Sequence, residues 1–374
     1  MAVLRLAKKR DRHPATRYLV AMRFAVLLVL AFVSACRVST DCAKGDPSCS
    51  VGALLLSAQR SYRMKAFYVC RTTNLDTYLV NADIVTPAQS QAIGASTSWM
   101  RTDLDGKYLY IQSSGNNVDW YSIDRDTGLI ARVGTFAIAL AGNYEPSPYY
   151  KNIMVASLGA SKMRTFSIGS DGSLTTLFIN QDPGSTSPGK FVFHPTLPVV
   201  YTLETSTVRI QDLAANGALT FRTTAAATAT TTNIAIDPNG RYLAVANNAA
   251  PGIQLYTIDS TGGLSAPSSA AFTNISILAF DSTGSFLMAG NTALPGVTTV
   301  NIPAMQSVQT FNTGTLPTTV IADRGGKYVL VGNPAPTLFS LYQFTQTGGL
   351  PSVKYEFVPT GNVTGVGMYS PYGF

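Results

Sequence analysis

The chain has 374 residues, a formal net charge of +7, 46 % hydrophobic residues and only 13 % charged ones. Residues 1–23 hold seven Arg/Lys against one Asp and residues 24–35 hold no charge, which leaves +1 on the remainder. That near-neutral body has no basic run or aromatic-interleaved basic patch, so the overall charge is no argument for a nucleic-acid partner.

In chain order, residues 1–35 have the layout of a secretory leader: basic residues, the apolar run FAVLLVLAFV, then small residues before Cys36. The run is shorter than the roughly 20 residues of a membrane-spanning helix, and no other stretch could span a bilayer. Met22 followed by Arg23 would itself start an ordinary short leader. VSAC, Val33 to Cys36, resembles the lipobox of bacterial lipoproteins. The resemblance implies acylation of Cys36 and a lipid-anchored place in the cell envelope. A plain cleaved signal peptide is the alternative. Arg37, where an aspartate would signal retention, points by the same resemblance to the outer membrane.

Residues 36–65 read as a tether. Cys42 and Cys49 flank AKGDPS, a spacing suited to a small disulfide in an oxidising compartment, or to a metal pair that no histidine accompanies. GALLLSAQRSYRMK from Gly52 fits a short helix or an irregular strand. Cys70, inside AFYVC, reads as a buried thiol.

From Ala66 to the C-terminus the pattern is β throughout: alternating Val, Ile, Thr, Tyr and Phe, punctuated by Gly, Pro, Asn and Asp. A unit of about 44 residues recurs seven times. One half reads acidic-x-x-Gly-x-aromatic-apolar, at Asp103, Asp237, Asp281 and Asp323, with degenerate copies expected from Glu145 and His194. The other half is an alternating strand at Leu75, Val118, Met163, Val208, Ile253, Thr298 and Phe339. Asp caps its own turn and Gly supplies positive φ. Four strands per unit predict an all-β, seven-bladed β-propeller of four-stranded antiparallel blades over 66–374. VTGVGMYSPYGF from Val363 should supply the strand that completes the first blade and hides its edge.

The repeat resembles the seven-bladed lactonase-like propellers (6-phosphogluconolactonase type) and, more loosely, surface propellers named for a Tyr-Val-Thr-Asn repeat. The more specific stretch is SPGKFVFHPTLPVVYTLETSTV, Ser187 to Val208. Family members read Gly-Pro-Arg-His-x-x-Phe-His-Pro, then Tyr, then Glu-x-x-Ser-x-Val. Phe193, His194, Pro195, Tyr201 and Glu204 fit. Gly189 and Lys190 replace Arg-His, and Asn247 and Asn248 stand where Asn-Arg is frequent. The resemblance implies a polar site at Glu204 and Lys190 for lactone hydrolysis, with fewer cationic donors than such chemistry uses.

Other chemistries fare worse. Beyond the leader the chain has one histidine, His194, which rules out a His-rich metal site and leaves a Ser-His-Asp triad without alternatives. No P-loop or dinucleotide fingerprint is present, and no cofactor is expected. The repeat aspartates belong to turns, and His194 fits a capping role. Asn116, Asn247, Asn291 and Asn333 recur after the second strand, as turn residues or as a ring of amides at the propeller mouth. Two functional expectations follow: a lipid-anchored binding protein taking a protein or glycan ligand at a propeller face, or a lactone hydrolase with an altered site at Glu204 and Lys190.

Overall fold

A computed structural model of the protein describes residues 65–71, 73–81, 84–93, 99–113, 117–138, 143–157, 162–181, 189–228, 230–332, 339–345, 347–350, 353–357 and 363–369. The expectations for the leader, Cys36, Cys42, Cys49, the tether, the segment from Gly52, Asn116 and Asn333 lie outside the described residues.

Among the described residues, twenty-eight strands form seven four-stranded antiparallel sheets. Blade 1 contains β1 (Ala66–Arg71), β2 (Asn74–Asn81) and β3 (Ile84–Ala92). Blade 2 has β4 (Met100–Thr102), β5 (Tyr108–Ser113), β6 (Asn117–Ile123) and β7 (Ile130–Ala137). Blade 3 has β8 (Asn143–Pro146), β9 (Ile153–Ser157), β10 (Met163–Ile168) and β11 (Leu174–Gln181). Blade 4 has β12 (Phe191–Phe193), β13 (Val199–Leu203), β14 (Thr207–Leu213) and β15 (Leu219–Ala226). Blade 5 has β16 (Thr231–Ile236), β17 (Tyr242–Asn247), β18 (Ile253–Thr257) and β19 (Ser268–Ala270). Blade 6 has β20 (Ile275–Phe280), β21 (Phe286–Asn291), β22 (Gly296–Asn301) and β23 (Gln306–Asn312). Blade 7 has β24 (Thr319–Ala322), β25 (Tyr328–Gly332), β26 (Phe339–Gln343) and β27 (Val353–Phe357).

The last strand, β28 (Val363–Tyr369), returns to blade 1 and pairs with β1 in antiparallel register from Ala66↔Tyr369 to Cys70↔Gly365. It becomes the first strand of that sheet, whose order is β28-β1-β2-β3. The inner strands β28, β4, β8, β12, β16, β20 and β24 each touch the next, and β24 touches β28. The ring is therefore closed by the C-terminal strand. The protein is an all-β, seven-bladed β-propeller, as the repeat predicts.

The turns between first and second strands explain the Asp-x-x-Gly signature. Asp103 Oδ1 accepts the N–H groups of Lys107 at 2.6 Å and Tyr108 at 2.8 Å, while Gly106 takes φ 62°. Asp281 does the same for Thr283 and Phe286. The carboxylate satisfies amides that the tight turn would otherwise leave unbonded.

Packing follows from the two-residue period of a strand. In β1, Tyr68 and Cys70 enter a cluster with Leu109, Ile111 and Tyr121 of blade 2. The alternate residues Phe67 and Val69 enter a cluster with Leu330, Phe339 and Leu341 of blade 7. Each blade interface has one such cluster, so the hydrophobic core is a ring of wedges between sheets. Full burial of each such Tyr, Phe or Leu contributes about 1.5–3 kcal/mol. Cys70 is fully buried in this packing, as expected from its apolar run.

Candidate functional site

Six turn residues define a common register for the inner strands. The N–H groups of Asp103, Ser147, His194, Asp237, Asp281 and Asp323 each donate to the carbonyl that opens the second strand, at 2.8–3.0 Å. Blade 3 corrects the sequence expectation. Its turn begins at Ser147, whose Oγ accepts the Tyr150 N–H at 3.1 Å, and Glu145 lies two residues earlier. Glu145 is thus an inner-strand residue, on β8.

Counting back from those turns gives two layers of the central channel. Four residues before each turn stand Trp99, Asn143, Lys190, Asn233, Ile277 and Thr319, all lining one cavity of about 410 Å³. Two residues before stand Arg101, Glu145, Val192, Ala235, Ala279 and Ile321, which line the continuation of that cavity along the channel. The cavity that holds the first layer is the mouth, and Arg101 and Glu145 reach into it from the second. Among the described residues of these two layers charge is confined to blades 2–4, and the wall from blades 5–7 is mostly apolar.

The mouth's central contact is an ion pair between blades. Arg101 Nε donates to both oxygens of Glu145, at 2.7 and 2.9 Å, and Arg101 Nη1 donates to the Met100 carbonyl at 2.8 Å. The guanidinium also sits 5.9 Å from the centre of the Trp99 ring, which packs edge-on against Tyr144. The Trp99 indole is buried, and its N–H has no acceptor among the described residues.

Lys190 adds a second cation. It keeps solvent-exposed surface inside the channel, yet the surrounding wall removes enough water to push its pKa down, with Arg101 adding repulsion. No carboxylate pairs with it among the described residues. The mouth therefore carries two cations against one carboxylate, an arrangement suited to an anion or a developing oxyanion.

Glu204 occupies different surroundings. Backbone bonds from Gly189 N–H to Leu203 O and from Leu203 N–H to Lys190 O, both 2.9 Å, bring its chain segment beside Lys190. Its carboxylate nonetheless turns into its own hairpin. Oε2 accepts Thr207 Oγ1–H at 2.9 Å, and Oε1 lies 3.9 Å from Arg209 Nη1 in a nearly buried ion pair. Glu204 does not line the cavity, so the structure puts Lys190 with Arg101 and Glu145 rather than with Glu204.

His194 is a turn cap. Nδ1 accepts the N–H groups of Thr196 at 3.1 Å and Leu197 at 3.0 Å, which leaves Nε2 to donate to Gly240 O at 3.1 Å. The ring is neutral, and burial lowers its pKa. Gly240 has φ 71°, and a Cβ there would meet the imidazole at 2.5 Å, so glycine is required at this blade contact.

Asn247 and Asn291 also bond their own loops. Asn247 is fully buried and donates to Pro251 O at 3.1 Å. Asn291 donates to Thr273 O at 3.0 Å and accepts the N–H groups of Ala293 and Leu294. Neither lines the cavity. No group of His, Cys, Asp and Glu able to hold a metal occurs among the described residues.

Residues 143–302 match the lactonase family of seven-bladed β-propellers. The match runs from β8 through β22 and includes Glu145, Lys190, His194 and Glu204. Among solved structures, a putative 6-phosphogluconolactonase from Bacteroides fragilis aligns with TM-score 0.70 at 16 % identity, over 81 % of this chain and 97 % of that one. The periplasmic gluconolactonase of Pseudomonas aeruginosa aligns with TM-score 0.67 at 13 % identity, over 82 % and 99 %. Hydrazine synthase of Kuenenia stuttgartiensis aligns with TM-score 0.58 at 13 % identity, over 74 % and 93 %. At these identities the likeness is one of fold. No curated protein matches the sequence.

The Arg101–Glu145 pair was absent from the sequence expectation. Its signal was present: both residues stand two before a turn residue on neighbouring inner strands, where other blades carry Val, Ala or Ile.

Proposed function

We propose that this protein is a lactone hydrolase acting at the channel mouth between Arg101, Glu145 and Lys190. The lactonase-family match over blades 3–6 carries the reading, and the cationic mouth supplies groups the chemistry needs. Water attacks the ring carbonyl carbon, and the carbonyl oxygen gains negative charge. Lys190 ammonium and Arg101 guanidinium stabilise that oxyanion in a partly desolvated channel. Glu145, held against Arg101, takes the proton of the attacking water. The ring C–O bond breaks, the ring oxygen receives the proton, and a hydroxy acid leaves. Glu204, ion-paired with Arg209 one hairpin away, is the second acid to test.

The test is hydrolysis of a panel of sugar and alkyl lactones by the full-length protein, with Glu145→Gln and Glu204→Gln alongside. Loss of activity on Glu145→Gln, with activity kept on Glu204→Gln, fits the proposed mouth; the reverse moves the base to Glu204. Flat activity with saturable binding of an envelope protein or glycan would instead favour the binding role. We also propose that acylated Cys36 holds the propeller at the bacterial envelope. Cys36→Ser should abolish partition into detergent; acyl chains retained on that variant would overturn the anchor.

A further inference from the structure

The cavity at the mouth and its continuation form one passage whose chemistry changes along its length. Met100, Val192, Ile234, Leu278, Val320 and Ile321 line both parts. Beyond the mouth the wall continues with Pro146, Phe193, Ile236, Ala279 and Phe280, and Arg324 lies on the same lower part. Val192, Ile236, Ala279 and Ile321 keep partly exposed surface there. Arg101 and Glu145 also reach this part, but a polyhydroxylated ligand would lose hydrogen bonds to water against its apolar side chains without replacement. An alkyl chain would lose nothing and would remove the same apolar surface from water.

The polar end has its own unmet demand. Lys190 has no carboxylate partner among the described residues. It lies at the mouth with Arg101 and Glu145. Two cations against one carboxylate call for an oxygen acceptor at this end.

We propose that the substrate is an amphiphilic lactone, with its ring carbonyl at Arg101 and Lys190 and an alkyl chain running down the channel past Val192, Ile236, Ala279 and Ile321. This rests on the lactone-hydrolase reading and names its substrate class. From the mouth at Asn233 down to Ile236, β16 spans about 10 Å at roughly 3.3 Å per residue. That length holds a chain on the order of eight carbons.

Two assays on the full-length protein separate this proposal from the reading beneath it. The first measures hydrolysis of γ-lactones with side chains from zero to ten carbons, beside gluconolactone. The second measures calorimetric binding of straight-chain carboxylates from acetate to decanoate, which cannot be hydrolysed. The expected result is a rise in kcat/KM and in affinity of about two- to fourfold per methylene, levelling near eight carbons. Ile236→Asn should flatten both slopes and spare hydrolysis of the unsubstituted lactone. Val192→Ser serves as the second variant if the first fails to fold. Hydrolysis of gluconolactone with no chain-length slope in either assay overturns the amphiphile and keeps the hydrolase. A slope in carboxylate binding with no lactone hydrolysed overturns the hydrolase and leaves an amphiphile-binding channel. Neither slope nor hydrolysis overturns both.

Discussion

Lys190 and His194 lie four residues apart in one blade and face opposite tasks. Lys190 projects into the channel with its charge uncompensated by any carboxylate among the described residues, crowded by the wall and repelled by Arg101. Substituting Lys190 by Met removes the cation and keeps the apolar stem. We expect kcat/KM for a hydrolysed lactone to fall about 10²- to 10³-fold, the scale of losing one oxyanion donor, with melting temperature little changed. His194 is buried and neutral, and its role is to cap a turn. His194→Ala leaves two N–H groups without their acceptor and should cost about 1–3 kcal/mol in denaturant unfolding. His194→Asp restores the residue used at Asp103, Asp237, Asp281 and Asp323 and should recover part of that loss. Burial holds the folded pKa of His194 below its unfolded value. Its contribution to stability is therefore full above about pH 6.5 and is lost as pH falls below it. That slope should vanish in His194→Asp.

The first-to-second-strand turn is the element that repeats most faithfully, and its copies differ in how well the acid is satisfied. Asp323 is buried, and one of its carboxylate oxygens has no hydrogen-bond partner among the described residues. Burial raises its pKa to about 6, against backbone N–H donation that lowers it. A raised acid favours the protonated fold. The contribution is full below about pH 4 and is lost as pH rises through about 6. Melting temperature followed from pH 7 to pH 4 should show this gain in the wild type and lose it in Asp323→Asn, with a sign opposite to that of His194. A second recurrent element fastens neighbouring blades. Hydroxyls of Tyr68, Tyr110 and Tyr201, on second strands, donate at 2.9 Å to Gly128, Gly172 and Gly262 in the outer turns of the next blade. Tyr201→Phe leaves the buried Gly262 carbonyl short of this donor and should cost about 1 kcal/mol.

These elements also show what the sequence could disclose. The turns were legible because Asp, Gly and the aromatic residue after them act locally, within five residues. Glu145 was misplaced by two positions because Ser147 performs the acid's task in blade 3 with a hydroxyl, leaving an acidic residue nearby to be mistaken for the cap. The Arg101–Glu145 pair joins strands 44 residues apart across a blade boundary, and only the register of neighbouring inner strands reveals it. The Glu204–Lys190 expectation rests on the family resemblance, which aligns the two strands but does not fix the direction of a carboxylate. Glu204 pairs instead with Arg209 and Thr207 on its own hairpin.

At the scale of the whole molecule, closure decides stability. The β28–β1 pairing converts seven sheets into a ring, and its partners are the first and last strands of the propeller. Such long-range pairing is slow to form and leaves the β1 edge open until it does. Deleting residues 363–374 should expose that edge, lower the unfolding midpoint and produce concentration-dependent aggregation visible by light scattering. The closed ring also fixes the channel, since its walls are one strand from each blade. Arg101, Glu145 and Lys190 meet only because blades 2, 3 and 4 are held in register around one axis. The central claim is that this meeting point opens lactones, and hydroxy-acid release by the full-length protein, wild type beside Lys190→Met, tests it most directly. The account predicts measurable turnover of at least one lactone that falls about 10²-fold or more in the variant while the fold is retained. Turnover that is unchanged in Lys190→Met, or absent across the lactone panel in the wild type, would contradict it.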